Sequence, residues 1–138
     1  MKNHAVTIST LDFRRLQELL LVAQQFASPR PAFLRDLEGE LQRARVVPPE
    51  QVPPYVVTMN SRVRLIDADT SKEKSYTLVF PSDADLEEGK LSILSDLGVA
   101  ILGYSVGDTI EWEFSEGLKR IRIDMIGFQP EAAKQYEL

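Results

Sequence analysis

Residues 47–66 read VPPEQVPPYVVTMNSRVRLI, and the hydrophobic pattern of the chain changes within this stretch. Its first part, 47–54, contains four prolines, which exclude a helix or a central strand and predict a semi-rigid linker. Apolar and polar residues then alternate up to Ile66, as is typical of a β-strand. The stretch therefore predicts two units, residues 1–46 and residues 47–138.

The unit before the linker has the apolar spacing of two amphipathic helices. The first begins near Thr10, where Ser9 and Thr10 are both suitable N-caps, and it ends at 28–31 (SPRP) because proline cannot continue a helix. The second starts with Pro31 in its first turn, and its apolar face consists of Phe33, Leu34, Leu37, Leu41 and Ala44. Two such helices predict an antiparallel helical hairpin, a short coiled coil, whose tip is Ser28, Pro29, Arg30 and Pro31.

The unit after the linker has mostly the alternating pattern of strands. Strands are predicted at 56–66, Lys74–Phe80, Leu91–Leu94, Thr109–Phe114 and Lys119–Phe128. An acidic loop occupies 82–90, and a short helix over Ser95–Leu102 is capped by Ser95 and stopped by Gly103. The pattern thus predicts a helical hairpin followed by a β-rich domain with a short helix.

The charge of the chain is unevenly distributed. Residues 1–46 carry seven Lys/Arg against five Asp/Glu, and residues 47–138 carry nine against sixteen. An acidic main domain repels phosphates, which disfavours direct nucleic-acid binding, including sequence-specific DNA binding. A basic patch on a protein partner matches this charge better. The alternative is that mild acidity serves solubility and nothing more.

The chain contains no cysteine, which excludes disulfides, thiolate zinc sites and cysteine nucleophiles. Its first residues have neither the apolar run nor the cleavage-type site of a signal peptide. The apolar stretches are far shorter than the ~20 residues that span a bilayer. We therefore expect a cytoplasmic protein without a membrane segment.

Residues that commonly perform catalysis are few in this sequence. His4, the sole histidine, lies near the terminus, where it is badly placed for a Ser/His/Asp triad. The acidic run at 83–88 could offer oxygen ligands to calcium or magnesium, but it lacks the EF-hand spacing, so a solvated loop is favoured. No nucleophile–base pair stands out, and the glycines do not form a phosphate-binding motif. We predict no catalytic residue, no metal site and no cofactor.

Several segments of the second unit resemble, in order, the C-terminal domain of the Gre transcript cleavage factors. They are VVTMNSRV at 56–63, YTLVFP at 76–81, LSILS at 91–95 with Gly98 and AILG at 100–103, GD at 107–108 and QPEA at 129–132. Together they cover about residues 48–133. The resemblance implies an FKBP-like α+β fold, in which an antiparallel-sheet domain with a short helix follows the hairpin, and binding to RNA polymerase. Likeness to FKBP concerns the fold alone, so prolyl isomerase activity is a rival function that we expect to be absent.

Within that superfamily the chain is most similar to the family of regulators of nucleoside diphosphate kinase. The segment VTMNSRV at 57–63, the proline-rich approach, QPEAA at 129–133 and the short hairpin carry this likeness. Gre factors contact the β′ rim helices of the polymerase through a segment that corresponds here to Leu94, Ser95, Asp96 and Leu97. Leu94 stands where Gre factors have an acid, and Asp96 where they have proline. The alternative partner is nucleoside diphosphate kinase itself, which the protein would bind directly or whose expression it would regulate.

Gre factors stimulate transcript cleavage through acidic side chains at the hairpin tip, which help to hold a catalytic magnesium. Here the tip, ASPRPA at 27–32, carries Arg30 and no acid, and the nearest carboxylate, Asp36, lies over a turn into the second helix. A first helix of ~17 residues reaches only ~25 Å, which is short for crossing the channel. We therefore predict a non-enzymatic regulator that competes with secondary-channel factors without stimulating cleavage.

Overall fold

The computed structural model describes residues 6–26, 31–114 and 117–135. Its N-terminal part contains strand β1 (Thr7–Ser9), helix α1 (Thr10–Phe26), helix α2 (Ala32–Arg43) and strand β2 (Arg45–Val47). The remainder contains strands and one helix in the order β3 (Arg62–Asp67), β4 (Glu73–Val79), β5 (Lys90–Ser92), α3 (Asp96–Ile101), β6 (Thr109–Phe114) and β7 (Gly117–Phe128). The predicted α+β class, with a helical N-terminal part ahead of a sheet and a short helix, is confirmed.

The main sheet has five strands in the order β5-β4-β3-β7-β6. Three of its pairings are antiparallel, and the fourth, between β4 and β5, is parallel. The sheet is therefore mostly antiparallel, in agreement with the antiparallel-sheet domain that the resemblance to Gre factors implied. The parallel edge arises because residues 80–89 return the chain to a position opposite Thr77, in the second half of β4, through short 3-10 turns at Pro81–Asp83 and Leu86–Glu88.

Helices α1 and α2 form as the local signals predict. The Ser9 hydroxyl accepts the Asp12 amide at 3.0 Å, which makes Ser9 the cap of α1. Pro31 occupies the N-cap of α2 instead of its first turn. The two helices contact each other, and the Gln24 side chain donates to Glu38 Oε2 at 2.6 Å. Of the predicted tip, Ser28, Pro29 and Arg30 lie outside the described residues.

A second, two-stranded sheet closes the base of the hairpin, and no sequence pattern predicted it. Strands β1 and β2 pair in parallel, with Thr7 opposite Arg45 and Ser9 opposite Val47. The Arg45 amide also donates to the Val6 carbonyl at 2.8 Å. Three-residue strands are too short to show a period of two, so the sequence gives no signal for them.

The proline-rich segment packs against the body of the protein. Val47 belongs to β2, Pro49–Gln51 forms a 3-10 turn, and Val52 is buried. The Gln129 side chain donates to the carbonyls of Pro53 and Val56, at 2.8 and 2.7 Å. One hydrophobic core runs across the predicted boundary after residue 46 and includes Leu16, Leu37, Val57, Leu78, Ile101 and Ile123. The division into two units stays a prediction.

Strand β3 begins at Arg62, six residues later than the alternating pattern predicted. The preceding residues form a turn in which Asn60 has a positive φ of 64°, a conformation that asparagine tolerates better than most residues. The Ser61 hydroxyl accepts the Thr58 amide at 2.9 Å. Ahead of the turn, Val56 forms an isolated antiparallel bridge with Ser105, and the Val57 amide donates to the Tyr104 carbonyl at 2.9 Å, so this part of the chain pairs with the segment after α3 and does not extend β3.

Candidate functional site

The segment Leu94–Leu97 follows the edge strand β5 and leads into α3. The Ser95 hydroxyl accepts the Gly98 amide at 3.1 Å and donates to the Ser92 carbonyl at 2.7 Å. The Ser92 hydroxyl in turn accepts the Leu94 amide at 3.0 Å. The predicted capping role of Ser95 is confirmed, and the two serines together fix the shape of this turn.

All four side chains of this segment are half-buried. Leu94 and Leu97 pack against the core while keeping part of their surface open to solvent. Asp96 lies in the first turn of α3, where a negative charge favours the helix. The segment thus presents apolar surface next to one carboxylate, a combination that suits a protein partner better than a small substrate.

Helix α2 brings a second carboxylate to this segment. Burial, followed by the charges of Asp96 and Glu40, raises the pKa of Asp36 above its ordinary value. Asp36 and Asp96 are sixty residues apart in sequence, so only the packing of α2 against α3 brings them together. The sequence offered no signal for this neighbour of the predicted contact segment.

Gly98 is required for this arrangement. A methyl group at its Cα would overlap the Ser92 carbonyl oxygen and would stand 3.0 Å from both Ile93 Cα and Ser95 Oγ. The close approach lets the first turn of α3 lie directly on the end of β5. Sequence comparison with Gre factors marked this glycine without giving its reason.

We expect Ser95→Ala to lower the free energy of unfolding by about 1 kcal/mol, because the Gly98 amide loses its acceptor. Urea unfolding measures this change. Ser82→Ala is the matched control, since Ser82 is exposed in a 3-10 turn and caps no helix. Equal stability of the two variants would show that the Ser95 cap contributes nothing.

A buried polar cluster joins α1 to the body of the protein, and sequence reasoning missed it. The Asp12 carboxylate accepts the Met59 amide at 3.3 Å. The Thr58 hydroxyl donates to Glu131 Oε1 at 2.7 Å. Asp12 and Glu131 are 6% and 8% exposed, so two carboxyl groups meet inside the structure. Asp12 lies in the first turn of α1, where a negative charge favours the helix, and the tertiary contact gives it a second role.

Burial, followed by the charge of Glu131, raises the pKa of Asp12 to about 7, although Arg15 and the Met59 amide oppose the change. The cleft between Ser9, Asp12, Met59 and Glu131 has no space for a water-sized molecule. A carboxyl pair without access for a substrate cannot act on one, so we assign this cluster a structural role in holding the hairpin.

The remaining residues considered at the sequence level lie away from both clusters. His4 lies outside the described residues. The acidic run at 83–88 is exposed, and the Asp85 carboxylate accepts the Glu87 amide at 3.1 Å as the cap of a turn. Within residues 6–26, 31–114 and 117–135, no three acidic, histidine or cysteine side chains are grouped as a metal site requires. Among the helices described, none has the length and apolar character needed to cross a membrane.

Comparison with known proteins defines the class of this molecule. Residues 52–127 match the family described as transcription elongation factor, GreA/GreB, C-term. A solved structure, the prokaryotic transcription elongation factor GreA/GreB from Nitrosomonas europaea, has a TM-score of 0.74 and 45% identity, and the match covers 89% of this chain and 99% of that one. GreA of Thermodesulfovibrio yellowstonii is 39% identical over 56% of this chain and 49% of its own length. The chain thus carries a Gre-type C-terminal domain.

The N-terminal part narrows the assignment. Residues 4–47 match the family described as Rnk N-terminus. The regulator of nucleoside diphosphate kinase from Escherichia coli K12 is 35% identical over the full length of both chains. The chain therefore belongs to the family of these regulators, as the sequence resemblance predicted.

Proposed function

We propose that this protein is a non-enzymatic, cytoplasmic transcription regulator that binds RNA polymerase near the secondary channel through its C-terminal domain. It competes there with Gre-type factors and does not stimulate transcript cleavage. The observation that carries the proposal is the combination of a Gre-type C-terminal domain with a short hairpin, in which α1 has 17 residues and α2 has 12.

The hairpin supports the absence of cleavage in two ways. At ~1.5 Å per residue, α1 extends ~25 Å, and α2 is shorter still. Residues 27–32 contain no acidic side chain, so the sequence offers no carboxylate there to help hold magnesium. Both features belong to the hairpin, so neither argues against binding of the polymerase by the C-terminal domain.

The docking surface that we propose is the segment Leu94–Leu97. Its half-buried leucines and the carboxylate of Asp96 provide the apolar centre and charged margin of a protein interface. Asp36 adds negative charge from α2, so the surface suits a basic patch on the β′ rim of the polymerase.

Binding is tested with purified core RNA polymerase and the full-length protein. We expect association at about micromolar concentration or tighter, and displacement by a Gre factor that is added in excess. In stalled, backtracked complexes the protein should leave the nascent transcript intact and slow the cleavage that a Gre factor stimulates. Absence of binding, or binding without competition, would contradict the proposal.

Asp96→Arg tests the docking segment. Reversal of a charge at an interface should weaken polymerase binding by about tenfold, because it replaces attraction to a basic patch by repulsion. Glu113→Arg makes the same change of charge at an exposed site on β6, the opposite edge of the sheet, and should bind like the wild type. Equal affinities of the two variants would remove Leu94–Leu97 from the interface.

A second candidate function follows from the name of the relative from Escherichia coli, the regulator of nucleoside diphosphate kinase. In this alternative the protein binds the kinase directly or controls its expression. Co-purification of the two proteins in buffer without polymerase tests direct binding, and failure to co-purify leaves control of expression through the polymerase.

A further inference from the structure

The outer face of the main sheet carries a row of side chains that crosses four strands. Cross-strand pairing places Phe128 of β7 beside Arg62 of β3, Arg62 beside Thr77 of β4, and Thr77 beside Lys90 of β5. Direct cross-strand partners share one face of a sheet. Their neighbours Val63, Leu78 and Leu91 are buried, so the row lies on the face that points away from the core.

This row forms the floor of an open cleft of about 440 Å³. The half-buried Phe128 supplies apolar surface beside the buried Val79, and Asn60, Arg62 and Lys90 supply hydrogen-bond donors. Arg62 and Lys90 stand two strands apart, which corresponds to ~10 Å at ~4.8 Å per strand. Lys90 already pairs with Glu88, Nζ to Oε2 at 3.5 Å, so Arg62 is the main cation for a group that is held above Thr77.

Arg62 differs from the other arginines on β3 and β7 in its ion pairing. Arg64 and Arg122 both bind the Asp124 carboxylate, at 2.6 and 3.4 Å, and Arg120 binds Asp69 at 2.6 Å. In the described parts of the chain, Arg62 has no carboxylate within ion-pair distance. It is thus a cation whose charge the fold leaves available to a partner.

The charges around the cleft restrict the kind of anion that fits. Asp83 lies in the cleft, and the exposed acids Glu87 and Glu88 stand on the loop beside it. A nucleic acid or a polyphosphate needs a field of cations, and here two cations face nearby carboxylates. A single carboxylate next to an apolar side chain, as on the surface of a protein, matches the mixed lining better.

The cleft and the proposed docking segment are linked by strand β5. Lys90 is the first residue of β5, and the same strand runs on to Ser92, whose hydroxyl holds the Leu94 amide. A partner seated on Leu94–Leu97 would therefore border the cleft. The two surfaces carry opposite charges, since Asp96 is negative and Arg62 is positive.

We infer that the polymerase-binding surface extends from Leu94–Leu97 across β5 into the Arg62 cleft, where it takes an acidic side chain of the polymerase that is flanked by an apolar one. The inference rests on the proposed function. The partner must then present a basic group opposite Asp96 and an acidic group opposite Arg62.

The test measures the affinity of core polymerase for full-length Arg62→Glu, Asp96→Arg and Arg120→Glu proteins, each checked for wild-type thermal stability. Arg120→Glu is the matched control, since Arg120 is exposed on the same sheet but lies at β7, away from the cleft. We expect Arg62→Glu to weaken binding about tenfold or more, and Arg120→Glu to change it less than about twofold. Arg62→Ala should also make the affinity less dependent on salt.

The outcomes separate the two proposals. Wild-type affinity for Arg62→Glu, together with weak binding by Asp96→Arg, would overturn the inference and leave the proposed function standing. A wild-type protein that does not bind polymerase would overturn both. Direct binding of a single-stranded RNA that Arg62→Glu abolishes would overturn the assignment to an acidic protein surface.

Discussion

Asp12→Asn is expected to make the protein markedly more stable at about pH 8 and to leave its stability at about pH 4 nearly unchanged. Burial, then the charge of Glu131, raises the pKa of Asp12 from 3.8 to about 7. The folded state therefore binds this proton more tightly than the unfolded chain does. Below pH 3.8 Asp12 is protonated in both states and does not lower the free energy of unfolding. As the pH rises from 3.8 to about 7, ionisation of Asp12 in the unfolded chain lowers the free energy of unfolding progressively, and above about pH 7 the loss is complete. The complete loss is roughly 4 kcal/mol.

Asparagine removes this dependence because it carries no charge and keeps an oxygen that can accept the Met59 amide. Urea unfolding at a series of pH values from about 4 to 8 measures the difference between the variant and the wild type. Asp83→Asn, at an exposed site, serves as the control and should follow the wild-type curve. Parallel curves for Asp12→Asn and the wild type would show that Asp12 is not the group that titrates.

Gly103→Ala is expected to lower the free energy of unfolding by about 3 kcal/mol or more. Gly103 follows α3 with a φ of +81°, a conformation that alanine adopts only at a cost. Its added methyl group would also overlap the side chain of Val6, which is completely buried beside β1. Accommodation of the methyl group must displace Val6 and with it the Arg45 amide that donates to the Val6 carbonyl.

Gly107→Ala separates the two contributions. Gly107 has a φ of +93°, and an added methyl group there meets nothing within 4 Å. We expect it to cost about 1–2 kcal/mol, the price of the backbone conformation alone. Hydrogen exchange of the Arg45 amide should accelerate in Gly103→Ala and not in Gly107→Ala. Similar losses of stability in both variants would mean that Val6 can move away from the added methyl group at little cost, and that the N-terminal strand is only weakly attached.

Elements with strong local signals were predicted well. The pattern of apolar residues and the Ser9 cap placed the start of α1, and Ser95 placed the start of α3. Strands β4, β6 and β7 are long enough to show alternation, and each lies within a few residues of its predicted position. Local sequence determines these elements because caps and amphipathic faces act within a single helix or strand.

The docking segment stays a prediction, and the sequence indicated only part of its surroundings. Resemblance to Gre factors indicated Leu94–Leu97, and the Ser95 cap was evident from the sequence. Neither Asp36 beside Asp96 nor Arg62 in line with Lys90 could be predicted, because each pair comes from elements that meet only after folding. The register of the sheet and the packing of α2 on α3 decide these neighbours.

The sequence by itself determined the order of the helices and of the main-sheet strands, the absence of acidic residues from the predicted hairpin tip, and the resemblance to Gre factors that implied the α+β class. Tertiary structure alone decided the parallel pairing of β1 with β2, the turn in place of a strand before Arg62 and the surroundings of Asp12. The physical reason is the same in each case. Hydrogen-bond partners and burial depend on segments that are distant in sequence, and a carboxyl group in the first turn of a helix has no local feature that reveals which buried acid it will face.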